Sequence, residues 1–565
     1  MAALQEFLYA PTTVDFVVRR SEFFDEFISK NNRVIVTQIL AGRYAVCYTS
    51  EENFLEMINY LGTSFISAAS VILGPLDRPN LEAAGVIQAQ QQPYLSLRGS
   101  GVLFGIVDSG IDYTLDVFKY EDGTSKIQAI YDQSIPGNPP EGFYIGTEYT
   151  NEQINAALKA EDPYTVVPQK DESGHGTFLA SVGAGRAVGD FIGAAPDAEI
   201  VAVKIRRARP FYLNRFSVPE SQKDAFESTA VMVGVEYILQ KARELKRPVV
   251  ICLGIGTNMG SHDGFSLFEE YLDGVSNLKG TCLCTSAGNE SQARHHTQGK
   301  INDQGEEQSI DIRVGENAGD IFITIWNNVS DRLAVSVRSP TGEKVGRVPP
   351  RAGTSLQTRL ILEKSSVLVE YYYPLEGTGG QLTVVKLIDA TPGIWTILVY
   401  GDIILDGTYH SWLPLTGFVS PTVEFLSATP YYTVTIPSTM AGSINTGAYN
   451  AGQNSLYARS SWGPTRLGVI MPDLVSPGVG VGGYYPSGYG VMDGTSVATA
   501  ITAGACTLMM QWGVVQGNDP AFSTYQIRAY LIRGCTRHES MTYPNNQWGY
   551  GELNLMQTFH MMREM

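Results

Sequence analysis

The chain is short of positive charge. It carries 40 Lys and Arg against 57 Asp and Glu, a net charge of -17. A surface that grips nucleic-acid phosphates needs the opposite balance, so no nucleic-acid partner is expected. Cysteine is scarce too, with six in 565 residues: Cys47, Cys252, Cys282, Cys284, Cys506 and Cys535. Most sit in apolar runs such as ICLGIG and GACTLMM, which reads as buried thiols and not as a disulfide framework. No run of 18 apolar residues occurs, so no membrane span and no membrane partner are expected. The opening MAALQEFLYAPTTVDF lacks a basic start, a long apolar stretch and a small-residue cleavage site. That pattern is not a secretory signal and predicts a chain made in the cytoplasm. There is no HExxH, no internal repeat and no carboxylate cluster to assign to calcium, so neither a metal nor a cofactor is called for.

What is present suits a large folded chain. Hydrophobic residues make up 44% and charged residues 17%. At 565 residues the chain exceeds one ordinary core, and several domains are expected. Residues 1–96 read as a small α+β unit: RVIVTQIL and YAVCYTS as strands, EENFLEMINYLG as a helix by its apolar spacing, and the Gln-rich stretch from Gln88 to Pro93 as a linker or helix end. From residue 97 the texture becomes α/β. GVLFGIVDSGID, EIVAVKI, PVVICLGIG and TCLCTSAG are apolar runs of the kind buried on both faces of a parallel sheet. AFESTAVMVGVEYILQKAREL is a helical pattern between them, so a doubly wound domain is expected. Residues 291–437 change again. IFITIW, LAVSVRS, RLILEK, SVLVEYYY, QLTVVKL and GIWTILVYG are short strands parted by turn residues, which predicts an inserted all-β sandwich. The α/β pattern resumes over 438–565.

Three local motifs carry chemistry. VDSG puts Asp108 at the carboxyl end of a buried strand, where ligands and catalytic groups gather in open α/β sheets. ESGHGTFLASVGAG sets His175 between two glycines at the start of a helix of small residues. GTSVATAITAGACTLMM places Ser496 at the opening of another such helix, beside backbone N–H groups able to bind an oxyanion. Each alone has a bland reading: a turn aspartate, a surface histidine, a serine helix cap. Together, in the order Asp, His, Ser, they match one known arrangement of a serine nucleophile with its base and orienting acid.

Across VDSGID, SGHGTFLAS and GTSVATA the sequence resembles the subtilisin-like serine proteases. The resemblance implies a catalytic triad of Asp108, His175 and Ser496, and a mainly parallel subtilisin-like sheet. Asn289 in TSAGNE matches the family's oxyanion-hole asparagine. Cys252, Leu253 and Gly254, with Ser286, Ala287 and Gly288, match its substrate-lining strands, although Cys252 stands where a small polar residue is usual. By position, residues 1–96 resemble the family's self-cleaved prodomain, with a cut between Pro75 and Leu97; a permanent N-terminal domain is the other reading. The whole layout resembles the Csp proteases of spore-forming clostridia. That likeness implies that the insertion is a jelly roll bracing the core, that the chain is packaged in the spore, and that its partners are its own prodomain and a protein substrate, the precursor of a cortex-lytic enzyme cleaved in germination. A regulatory binding protein on the same scaffold, non-catalytic or cutting only itself, is the competing function.

Other signals point to structure. Arg206, Arg207 and Arg209 read as a solvated loop or a wall of the cleft. His295 and His296 are adjacent, so on a strand they point opposite ways and suit a metal poorly. Cys282-x-Cys284 reads as a buried strand, and the WGPT loop at Trp462 as packing.

Overall fold

The computed structural model describes residues 13–19, 36–40, 44–50, 52–54, 77–143, 145–208, 210–373 and 380–563. The chain divides into two compact units, Met1–Pro75 and Leu76–Met565. In the first, β1 (Thr13–Arg19), β2 (Val36–Leu40) and β3 (Tyr44–Ser50) form an antiparallel sheet in the order β1-β3-β2. Most of the helix expected over EENFLEMINYLG lies outside the described residues. The second unit opens with α1 (Asp77–Ala83) and α2 (Val86–Gln91). Leu81, Ala84, Val86, Ala89 and Leu97 belong to its main core, so the units part at Pro75 and not at residue 96. The Gln-rich stretch is the end of α2.

The centre of the second unit is a nine-stranded, mainly parallel sheet. Its strands are β4 (Leu103–Asp108), β5 (Ile127–Asp132), β6 (Thr147–Thr150), β7 (Glu199–Lys204), β8 (Val249–Leu253), β9 (Thr281–Ser286), β21 (Ile444–Asn450), β22 (Ser455–Leu456) and β23 (Leu474–Pro477). They run in the order β22-β21-β9-β8-β4-β7-β5-β6, with β23 paired to β21. Only β6 and β22 run antiparallel. The apolar runs form strands because both faces are covered, and β4, β8 and β9 are buried at every residue. One face packs on α4 (His175–Ala184) and α8 (Thr495–Met510), joined in the core by Phe178, Leu179, Val497 and Ile501. The other packs on α6 (Ser228–Leu245) and α7 (Leu267–Ser276), through Val235, Ile238 and Leu272. Thr495–Val515 is long and apolar enough to cross a membrane, but 89% of its most apolar window is buried, as in a core helix.

The insertion between β9 and β21 consists of two antiparallel sheets. One pairs His296–Lys300, Thr408–Trp412, Ile321–Asn327, Gln381–Ile388, Ser366–Tyr372 and Ser355–Arg359 in that order. The other pairs Lys344–Val348, Arg332–Arg338, Gly393–Ile403, Glu307–Val314 and Glu424–Phe425. Ile323, Ile325 and Val385 of the first sheet share a core with Leu333, Val335 and Ile397 of the second. Beyond Arg359, RLILEK is not a strand. Ile361 and Leu362 are 81% and 68% exposed in a turn whose N–H groups are accepted by Glu343. Local carboxylate capping outweighs the β propensity of the pair there.

Candidate active site

The parallel strands deliver Asp108 at the carboxyl end of β4, 1% exposed between β7 and β8. Its Oδ1 accepts the Ser109 N–H and lies 2.8 Å from His175 Nδ1. His175 opens α4 behind Gly174, which holds the left-handed conformation (φ 79°) that glycine adopts without strain. A glycine has no side chain to cap a helix, and Asp171 supplies the cap. Its Oδ1 accepts Gly174 N (2.8 Å) and its Oδ2 accepts Thr177 N and Oγ1 (2.9 and 2.6 Å). Gly176 is needed because a Cβ there would meet Gly110 O at 2.3 Å and Asp108 Cβ at 3.0 Å. Burial presses the imidazole towards its neutral form. The charge and hydrogen bond of Asp108 outweigh that, aided by Asp171 and Asp224, so the His175 pKa is raised.

Ser496 is the second residue of α8 and half-buried. Its Oγ donates to Gly254 O at 2.7 Å and not to the imidazole. The two groups nonetheless face each other. A Cβ added to Gly254 would lie 3.3 Å from His175 Cε1 and 3.4 Å from Ser496 Cβ. Asn289 sits beside them with its amide polarised in a defined sense. Its Oδ1 accepts both Thr495 N and Thr495 Oγ1 (3.1 and 3.2 Å). Its Nδ2 makes no hydrogen bond among the described residues and lies near Gly494, 3.4 Å from where a Cβ would stand. With the acceptor end tied back, a free donor is left next to the Ser496 backbone. That is the arrangement an oxyanion hole requires.

The structure therefore brings Asp108, His175, Ser496, Asn289 and Gly254 together. Gly288 (φ 101°) joins them as a rib of the cleft, where a Cβ would strike Thr435 Cγ2 at 2.5 Å. Like Gly254, Cys252, Leu253, Ser286 and Ala287 are buried. The segment returning from the insertion closes over the last two, with Ser438 Oγ donating to Ser286 O and Thr435 N to Ala287 O. The accessible cleft residues lie just beyond, at Ile255, Gly256 and Thr257 and at Gly288 and Asn289. Cys252 shares its face of β8 with Gly254 but sits one step deeper, in the same core as Cys282, Cys284 and Cys506, whereas Leu253 faces the opposite core. Cys506 comes from α8, and the Sγ atoms of Cys282, Cys284 and Cys506 lie within 4.8 Å of one another. Burial pushes all three thiols, and Cys252, well above the usual range, so they are held protonated.

Sequence reasoning missed Asp171, Thr495 and Asp224. Asp171 and Thr495 lie within the ESGHG and GTS surroundings, where cap and turn residues are a visible signal. Asp224 belongs to a loop with no such signal; its carboxyl is raised by partial burial and then by the charge of Asp108, with His175 opposing. Arg206 pairs with Glu227, and Arg207 donates to Glu220 O and Gln222 O. Arg209 lies outside the described residues. His295 and His296 do point apart: His295 meets Glu290, and His296 meets His410.

A model of the subtilase family matches residues 99–320 and 426–551. The chain belongs to the subtilase family. The unmatched stretch between the two segments holds most of the inserted sheets. Among solved structures, the Clostridium perfringens CspB protease is similar at 31% identity and a TM-score of 0.76, covering 86% of this chain and 99% of that one. This subtilase shares with it the parallel sheet plus antiparallel insertion. The epidermin leader peptide processing protease EpiP of Staphylococcus aureus is far more distant, at 13% identity and a TM-score of 0.38 over 98% of this chain and 99% of that one. No curated protein matches.

Proposed function

We propose that this subtilase is a serine endopeptidase that hydrolyses peptide bonds through an acyl-enzyme on Ser496. The observation that carries the reading is the Asp108–His175 pair at 2.8 Å facing Ser496 beside the free amide nitrogen of Asn289. Rotation about the Ser496 side chain moves Oγ from Gly254 O to the imidazole, which takes its proton as Oγ attacks the substrate carbonyl. The oxyanion is received by Asn289 Nδ2 and the Ser496 N–H. Imidazolium, stabilised by Asp108, gives the proton to the leaving amine, and water then repeats the sequence on the acyl-enzyme.

The finer reading rests on likeness to CspB. The N-terminal unit acts as a prodomain cut by the chain's own triad. The insertion is the jelly roll of that layout. The chain is carried in the spore, and its substrate is a protein precursor, that of a cortex-lytic enzyme in germination. Residues 77–91 are helical within the second unit, and a protease needs an extended segment, which favours a cut at the Pro75 end of the Pro75–Leu97 window.

Intact mass under denaturing conditions, for the parent beside Ser496→Ala, tests this. Cleavage of the parent alone supports a live triad and a prodomain. Cleavage of both assigns the cut to another protease. Cleavage of neither, with no labelling of Ser496 by a fluorophosphonate probe, defeats the reading. Added as a separate protein, a cortex-lytic enzyme precursor should be cut by the parent and not by Ser496→Ala.

A further inference from the structure

Glu290 follows the oxyanion asparagine directly, and it is no ordinary loop residue. It is 3% exposed, yet its carboxylate is held below the usual range: burial pushes it up, and His295 and then Thr416 outweigh that. Its Oε2 receives His295 Nδ1 at 3.0 Å and Asn258 Nδ2 at 3.1 Å. Its Oε1 receives the Thr416 N–H at 3.2 Å, and its own N–H donates to Ser461 Oγ at 3.0 Å. The partners come from three directions. Asn258 ends the cleft lip that begins at Gly254, and its Nδ2 also reaches Leu413 O at 3.3 Å. His295 stands at the entrance of the inserted sandwich, and Leu413 and Thr416 follow the strand Thr408–Trp412. The His295 carbonyl in turn accepts the Leu413 N–H at 2.9 Å.

One carboxylate thus ties both lips of the cleft to the insertion, one residue from Asn289. On the other side Asn289 is fixed by Thr495. Between those two anchors its amide has little freedom to turn. We infer that the Glu290–His295 pair is a positioning device for the oxyanion donor, through which the inserted sandwich sets the aim of Asn289 Nδ2. The inference rests on the peptidase reading above. Neither residue touches the reacting atoms. Glu290 acts through the backbone it shares with Asn289, and His295 acts through Glu290. A donor aimed at developing charge works only at the right distance, and a misplacement of about 1 Å costs up to about a hundredfold in rate.

The test is a double-mutant cycle on the full chain. Glu290→Gln and His295→Gln are each made alone and combined with Asn289→Ala, and kcat and KM are measured on p-nitrophenyl acetate. With Asn289 present, either substitution should lower kcat about tenfold or more and change KM less than about twofold. With Asn289→Ala already in place, the same substitution should cost less than about twofold further, because nothing is left to aim. Equal losses in both backgrounds overturn the inference, since general loosening of the fold does not require Asn289. An undiminished kcat in Glu290→Gln overturns it as well. Thermal unfolding identifies a variant that fails to fold, and the milder His295→Gln then carries the cycle. A parent that neither turns over the ester nor takes up a fluorophosphonate probe defeats the peptidase reading itself, whereas an active parent with additive losses defeats this inference alone.

Discussion

Acid should open the seam between the catalytic sheet and the inserted sandwich. Three buried histidines meet there around Trp412. His262, from the loop between β8 and α7, stacks on the indole at 4.2 Å and 3°. His410 stacks on the same ring at 5.5 Å, and His296 Nε2 lies 3.2 Å from His410 Nδ1. Burial drives all three towards neutrality. It lowers His262 to about 4 against the carbonyls of Asn258 and Val434, which oppose it, and lowers His410 to about 3 with help from Arg466 and His262. His296 is lowered well below its ordinary value by burial, then by His410 and His262. The Arg466–Asp263 ion pair borders the cluster, near His262. The sign follows from where the protons bind. As pH falls below the ordinary histidine value the unfolded chain takes up protons that the folded chain refuses. Stability is therefore greatest above that value and declines as pH drops towards the folded values. At pH 5 each such histidine withdraws about 2 kcal/mol relative to pH 7.5. His175 and Glu269, both raised, titrate in the opposite sense and would mask part of the loss. They are common to parent and variant, so a difference removes them. Urea denaturation at pH 7.5 and pH 5 should show His410→Phe losing about 2 kcal/mol less than the parent. Parallel pH dependence in the two chains would refute the argument.

Three further outcomes follow from the cleft. Asn289→Ala should lower kcat by about a hundredfold to a thousandfold, and stranding Thr495 N and Oγ1 should also cost about 1–3 kcal/mol in denaturation; a kcat near the parent's would remove Nδ2 from the mechanism. Gly254→Ala puts a methyl 2.4 Å from Leu179 Cδ1 and against both His175 and Ser496, so fluorophosphonate labelling should slow at least about tenfold in a folded chain. Labelling at the parent's rate would show that the two side chains do not meet across this glycine. Asp171→Ala strands Gly174 N, Thr177 N and Thr177 Oγ1, and should cost about 1–3 kcal/mol in denaturation together with a fall in kcat. A fall in stability with kcat intact would separate Asp171 from His175.

How far the sequence could be read depended on how local each feature is. Asp108, His175 and Ser496 were legible because each lies in a run whose neighbours serve the same purpose. Gly174 and Gly176 let the chain turn at His175, and Gly494 and Thr495 prepare the helix that presents Ser496. The strands β4, β8 and β9 were legible because burial on both faces leaves continuous apolar runs. RLILEK has an apolar Leu-Ile-Leu centre but forms no strand past Arg359, because Glu343 caps its backbone from 18 residues away. Cys252 and Ala287 were assigned to the cleft by motif alone, whereas the packing of α8 over Cys252 and the covering segment at Thr435–Ser438 decide how deep each lies.

The same distinction separates chemistry from its control. Glu290 adjoins Asn289 in sequence, yet its partners lie 5, 32 and 126 residues away. No local pattern can announce a carboxylate whose role is defined by a domain inserted after it. The same insertion that interrupts the family match supplies His410 and Trp412 to the seam and Thr416 to Glu290. A subtilase without it would need another way to neutralise a buried carboxylate at that position, or a different residue there. Losing His295 leaves the Glu290 carboxylate in the interior with only Asn258 and Thr416 as donors, at a cost expected to reach several kcal/mol, while replacing both by apolar residues of similar size should cost far less stability. If the pair served packing alone, that double replacement would also preserve kcat; if it aims Asn289, stability returns and kcat does not.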